Sequence, residues 1–272
     1  MSFSYPSSSL SQPLTHLALG EMKQRGEKFA CLTAYDASFS ALIDTSGIEV
    51  ILVGDSLGMV VQGHGTTLPV TLDDMLYHTR CVTRTAHRAL VIADLPFMTY
   101  STPELAACSA ARLIQEGGAQ LVKLEGARLD VVDFLVKQGI GVCGHLGLLP
   151  QFIHQVGGYK VQGREADSAN QLLDEALALQ KAGVSLLLLE CVPAKLAKQI
   201  SLALSIPVIG IGAGVDCDGQ VLVVYDMLGI SIGKRPRFSK NFLADTNSID
   251  NALKAYYDAV KKGEFPTAAH SF

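Results

Sequence analysis

The 272-residue chain has no tryptophan, and only 18% of its residues are charged, against roughly 25% in ordinary soluble chains. With 49% hydrophobic residues, so little charge excludes intrinsic disorder and implies that subunit contacts cover part of the surface. Neither sign dominates: 22 Lys and Arg face 26 Asp and Glu, a net charge of −4. No block of like charge is present to build a basic groove, which argues against nucleic acid as a partner. Six cysteines, at 31, 81, 108, 143, 191 and 217, contain no CxxC pair and are too sparse for a disulfide framework. Reduced thiols in the cytoplasm are the expectation.

A membrane span is not expected either. The charge-free stretch 138–159 holds six glycines, a proline, two histidines and three glutamines, unlike the roughly 20 apolar residues that cross a bilayer. The Ser-rich start, MSFSYPSSSLSQ, has neither the charged-then-apolar order of a signal peptide nor the arginines of a transit peptide. Residues 1–8 are expected to be a disordered tail, and 9–25 a helix capping the bottom of the fold.

What the chain does have is a recurring alternation. Short apolar runs at 29–34, 50–53, 90–93, 121–124, 140–143, 185–189, 207–211 and 221–225 are each followed by a polar or Gly-rich break and, usually, a helical pattern. Continuous rather than alternating hydrophobicity marks strands buried on both faces, as in parallel sheets covered by helices. Helix signals fill the gaps. Thr71 and Asp74 form a capping-box-like start, and Thr102-Pro103-Glu104 reads as N-cap, first-turn proline and first-turn acid of a helix ending at Gly117-Gly118. Helices are also expected over 38–45, 129–138, 168–182, from Pro193 towards Leu204, and over 249–262. Eight strands alternating with helices, without a linker, predict a single (β/α)8 TIM barrel over residues 1–272. An open doubly wound sheet is the alternative.

The informative feature is which residue ends each apolar run. Asp36, Asp55, Asp94, Lys123 with Glu125, His145 and Glu190 stand at these positions, and in a (β/α)8 barrel they converge on the C-terminal face. A carboxylate at a strand end often just caps the next helix, which is the reading for Asp36. The others would crowd like charges into one cavity, at a high desolvation cost unless a cation compensates. Asp55, Asp94 and Glu125 are hard oxygen ligands, so Mg²⁺ is preferred over Zn²⁺. Lys123 points the same way as Glu125 along its strand and offers a cation to a substrate carboxylate. These groups suit a 2-oxo acid whose adjacent C–H is acidified by the metal. Glu190 is the candidate base, with burial expected to raise its pKa.

Other signals are weaker. GIGAG at 210–214 lacks dinucleotide-site spacing, and Asp216-Cys217-Asp218-Gly219 lacks the length and terminal Glu of an EF-hand loop. His64, flanked by glycines in GHGTTLP, reads equally as a lid or a surface-loop residue, while His78 and His87 read as structural helix residues.

Taken with their order, the segments LTAYDASFS, VGDSLGMVVQGHGTTLPVTLDDMLYH, ADLPFMTY, VKLEG, GHLGLLPQ, LLLECVP, GIGAGVDCDGQVLVVYDMLG and GEFP resemble the ketopantoate hydroxymethyltransferase (3-methyl-2-oxobutanoate hydroxymethyltransferase) family from about residue 30 onward. The resemblance implies a (β/α)8 barrel with Mg²⁺, and transfer of a hydroxymethyl group from 5,10-methylenetetrahydrofolate to 3-methyl-2-oxobutanoate through a Mg²⁺-stabilised enolate, in pantothenate synthesis. It implies that Asp55 and Asp94 contact metal and oxo acid, that Glu125 completes the metal environment, that Ser56 and Lys123 bind substrate beside His145, and that Glu190 accepts the proton. A homodecamer in the cytoplasm is implied as well. Leu149 and Tyr225 depart from the family pattern, where threonine and histidine are commoner. A Mg²⁺-dependent C–C lyase or mutase of the phosphoenolpyruvate mutase/isocitrate lyase kind is the rival enzyme, but its KKCGH-like cysteine loop is absent from the sequence. A barrel that merely senses an oxo acid is the non-enzymatic rival, and would lack the base or a ligand.

Overall fold

A computed structural model describes residues 13–158, 160–233 and 235–272; the expected tail 1–8 and the start of the expected helix 9–25 lie outside them. The eight strands are Phe29–Thr33 (β1), Val50–Val53 (β2), Leu90–Asp94 (β3), Leu121–Glu125 (β4), Val142–Gly147 (β5), Leu186–Glu190 (β6), Val208–Ile211 (β7) and Gly219–Leu222 (β8). They close into one barrel in sequence order, every neighbour parallel, with β8 pairing back onto β1 through Phe29 opposite Gly219.

The unbroken apolar runs follow from this closure, because each strand is buried on both sides. Ala30 and Leu32 face outward into the core shared with the helices, whereas Cys31, Val50, Leu121, Leu186 and Ile209 face inward. At the bottom, the helix His16–Gln24 presents Leu19 and Met22 to that inner cluster, closing the barrel as expected. Lys23 on the same helix pairs with Asp218 at 2.7 Å, and Asp218 also accepts from Val208 N. The Asp216–Gly219 stretch is therefore a fastening at the barrel's lower rim.

The helix signals are realised closely. The Thr71–Asp74 capping box opens Leu72–Thr83, Thr102 caps Pro103–Ala111, and Asp36 accepts from Phe39 N to cap Ala37–Thr45. The expected helices at 129–138, 168–182, 193–204 and 249–262 occur as Leu129–Lys137, Ala166–Ala182, Ala194–Ala203 and Ile249–Lys261. The Pro103 helix reaches Gly117 through a π-helical turn, Arg112–Glu116. His87 lies beyond Leu72–Thr83 rather than on it.

Two strands are displaced from expectation. β5 runs on through Gly144, His145 and Leu146, which the interruption of its apolar run concealed, and β8 begins at Gly219 while Val224–Leu228 turns into a short helix. Glycine opens β8 because a Cβ there would stand 2.3 Å from the Phe29 ring. Across the same β8–β1 seam, the buried Tyr256 hydroxyl lies 2.9 Å from Cys31 O and 2.8 Å from Gln220 O. Replacing Tyr256 with Phe should lower the unfolding free energy by about 1–2 kcal/mol, the usual result of removing a buried hydrogen-bond donor. Denaturant titration checks this, and an unchanged midpoint would show that the hydroxyl contributes nothing to closure.

Candidate active site

A cavity of about 750 Å³ opens above the C-terminal ends of the strands, and Asp55, Ser56, Asp94, Lys123, Glu125, His145 and Glu190 all line it. Every site residue expected from the sequence is therefore in one place. Asp36, read as a cap, is absent from the lining. His64 lines the cavity from an exposed loop, and His78 instead places Nδ1 2.6 Å from Tyr35 O.

The strands deliver the charges at fixed heights. Register sets Asp94 of β3 opposite Lys123 of β4, and Glu125 opposite His145 of β5. Lys123 Nζ lies 2.8 Å from Asp94 Oδ1, both side chains almost fully buried, and Asp94 Oδ2 accepts from Asp55 N at 3.0 Å. Ser56 Oγ meets the Tyr35 hydroxyl at 2.9 Å. His145 stands between two carboxylates, Nδ1 3.6 Å from Glu125 Oε1 and Nε2 3.4 Å from Glu190 Oε2. Neither contact is a formed hydrogen bond, and Glu125 Oε1 and both His145 ring nitrogens are buried without a partner among the described residues.

Glu190 is more open than its apolar strand suggested: its side chain keeps 15% of its surface exposed, against 2% for His145. Its backbone is nonetheless held. Leu148 N donates to Glu190 O at 2.8 Å, and Gly147, opposite Glu190 in the register, has φ +93° and no room for a Cβ, which would fall 2.2 Å from the same carbonyl.

Gln151 was not visible as a site residue. It follows β5 in the single turn Pro150–Phe152, buried, and its Nε2 donates to Asp55 Oδ2 at 2.9 Å and Leu95 O at 3.0 Å. Its backbone N donates to Glu125 Oε2 at 3.0 Å and its Oε1 accepts from Tyr100 OH. One residue, through its side-chain amide and its backbone N–H, thus ties carboxylates at the ends of two strands. Only its place directly after a strand-end motif could have hinted at this.

Asp55, Asp94 and Glu125 act together on the buried Lys123. Burial first, then Asp94 and Glu125, push Asp55 up to about 8. Burial works against the Lys123 charge, but Asp94, Glu125 and Asp55 more than offset it and hold its pKa above the usual lysine range. For His145, burial and Lys123 oppose protonation, yet Glu125 and Glu190 prevail and the pKa is raised. Among the described residues, no three His, Cys, Asp or Glu side chains form a ready-made metal ligand set. Asp94 and Glu125 are already engaged by Lys123 and Gln151.

The family model for ketopantoate hydroxymethyltransferase matches residues 13–268. The chain belongs to this family. It is 58% identical over 261 residues to the 3-methyl-2-oxobutanoate hydroxymethyltransferase of Nitrosococcus oceani, covering 95% of this chain and 99% of that protein. To the protein of the same name from Methylococcus capsulatus it is 60% identical over 265 residues, 97% and 98% of the two chains. Among solved structures, 2,3-dimethylmalate lyase, a PEP mutase/isocitrate lyase superfamily member, aligns with a TM-score of 0.58 at 17% identity, over 80% of this chain and 84% of that one. Phosphonopyruvate hydrolase aligns at 0.59 and 12% identity, over 79% and 83%. At such identities these two share the barrel fold alone.

The electrostatics have a direct consequence. In protein labelled with ¹³C at the aspartate carboxyls and free of divalent cations, one carboxyl should titrate near pH 8. Asp94→Asn removes a neighbouring negative charge and should move that midpoint down. Gln151→Leu removes a hydrogen bond to the ionised form and should move it up. A midpoint near pH 4, or shifts of the opposite sign, would refute the arrangement.

Proposed function

We propose that the protein transfers a hydroxymethyl group from 5,10-methylenetetrahydrofolate to 3-methyl-2-oxobutanoate, giving ketopantoate for pantothenate and coenzyme A synthesis, and that it does so in the cytoplasm as a homodecamer. The observation that carries the chemistry is the meeting in one cavity of a buried lysine–carboxylate cluster with a partly open carboxylate, Glu190, in a chain whose near relatives bear the corresponding name. The low charge content supports subunit contacts.

The residues fit Mg²⁺. The donors are all hard oxygens, three carboxylates surround the single Lys123, and among the described residues Glu125 Oε1 is buried without a hydrogen-bond partner. The lack of a complete protein ligand set suits this ion, which usually takes one or two carboxylates and fills its remaining positions with water and substrate. Asp55 and Asp94 would hold it, with Glu125 beside them. Bound there, it would act as a Lewis acid towards the keto and carboxylate oxygens of the substrate and so acidify the C–H at C3.

The protein's own groups do the rest. Lys123 supplies a fixed positive charge for the substrate carboxylate, and the Ser56 hydroxyl a hydrogen bond. Glu190 takes the C3 proton, with His145 beside its Oε2 to keep the carboxylate turned into the cavity. The C3 carbanion then forms a C–C bond to the folate's one-carbon unit as the first of that carbon's two bonds to folate nitrogen breaks, and the proton taken from C3 passes to the released nitrogen. Water then cleaves the second carbon–nitrogen bond, its oxygen becoming the hydroxyl and its hydrogen going to that nitrogen, and tetrahydrofolate leaves.

The test separates base from ligand. Glu190→Gln preserves size and hydrogen bonding but cannot accept a proton, a loss that typically lowers such a step by about 10²–10⁴. With Mg²⁺ and oxo acid in D₂O, without folate, wild type should exchange the C3 hydrogen, followed by NMR, and Glu190→Gln should be nearly silent at unchanged oxo acid affinity. Near-normal exchange would move the base to His145.

A further inference from the structure

The oxo acid's groups occupy one side of the cavity only. Asp55, Asp94, Lys123, Glu125, His145 and Glu190 come from the ends of β2 to β6, whereas a second set, Asp226, Ser231, Arg235, Arg237 and Phe238, lines the same 750 Å³ cavity from the chain that follows β8. A five-carbon oxo acid leaves much of that volume unfilled, and the second set has no part in the chemistry above.

Asp226 stands out within it. It sits in the short helix Val224–Leu228 with only 7% of its surface exposed. Its Oδ1 accepts a short hydrogen bond of 2.5 Å from Ser231 Oγ. Among the described residues, its Oδ2 accepts no hydrogen bond. A carboxylate has about four acceptor positions, and among the described residues the Ser231 hydrogen bond occupies one of them. Burial raises its pKa, opposed by the Ser231 hydrogen bond and the Arg235 charge. Phe238 lines the same cavity, and the Arg237 guanidinium stacks on Phe272 at 5.4 Å, its Nε donating to Ala269 O.

We propose that Asp226 is the pterin anchor, receiving the ring amide N–H and the adjacent exocyclic amine of the reduced folate on its two carboxylate oxygens. Parallel N–H donors matched to a carboxylate make the strong, directional pairing by which a buried acid selects such an edge. That edge lies on the pyrimidine ring, away from the carbon that carries the side chain. Anchoring it leaves the one-carbon bridge turned towards the oxo acid on the other side of the mouth. This inference rests on the folate donor of the proposed function.

Calorimetry with tetrahydrofolate and its 2-desamino-2-methyl analogue on the full chain tests it. Wild type should bind tetrahydrofolate and bind the analogue, which lacks the amine, about 10- to 100-fold more weakly, the loss expected of a charged hydrogen-bonded pair. Asp226→Asn, checked for an intact barrel by circular dichroism, should bind tetrahydrofolate more weakly by a similar factor and lose discrimination between the two ligands. Wild type binding both equally would overturn the anchor while leaving the folate reading intact, and so would an Asp226→Asn variant that still discriminates. Failure of wild type to bind tetrahydrofolate at all would overturn the folate reading and the anchor together.

Discussion

The buried ion pair between Lys123 and Asp94, 2.8 Å long, constrains everything around it. A lysine taken out of water in an apolar strand is stable only where carboxylates surround it, and carboxylates taken out of water are stable only where donors meet them. Asp94 therefore also accepts from Asp55 N, and Gln151 holds Asp55 and Glu125 in turn. Removing any partner would leave the others buried without their counter-charge or donor. Burial first, and then its carboxylate neighbours, raise Asp55. A buried pocket in which three carboxylates surround one lysine is suited to take a cation together with the anionic group that the lysine attracts.

Barrel closure makes this cluster possible. Asp55, Asp94, Glu125, His145 and Glu190 are spread over 136 residues of chain, yet in-register parallel pairing places them in successive positions around one rim. The two ends of the barrel divide the work. At the bottom, Leu19 and Met22 plug the inner core and Lys23 fastens Asp218, an arrangement that serves stability. At the top, polar atoms without a hydrogen-bond partner among the described residues collect at Glu125 and His145, an arrangement that costs stability and is retained where chemistry occurs.

Much of this was legible in the sequence because charge at the end of an apolar strand is a strong contrast. Asp55, Asp94, Lys123, Glu125 and Glu190 each interrupt or end a hydrophobic run, and all of them line the cavity. Strand limits were harder to read where glycine or polar residues carry sheet pairing. β5 continues through Gly144 and His145, and β8 opens at Gly219 because Phe29 fills the space a side chain would need. Gln151 and Asp226 gave no such signal. Each follows its strand by several residues, in a turn or a short helix, and each matters only through partners brought by the fold: Asp55, Leu95 and Tyr100 for Gln151, Ser231 for Asp226. The openness of Glu190 likewise depends on how the cavity is walled, which hydrophobic pattern does not report.

On the proposed reading, Asp55, raised first by burial and then by Asp94 and Glu125, carries a proton that a divalent cation would displace. Proton release can be counted directly, by titrating Mg²⁺ into the protein with saturating 3-methyl-2-oxobutanoate at pH 7 in two buffers of different ionisation enthalpy. The account predicts about one proton released per ion bound, since binding requires the ionised ligand, falling towards zero above pH 9 and absent in Asp55→Asn. Binding of Mg²⁺ at pH 7 with no proton released would contradict it.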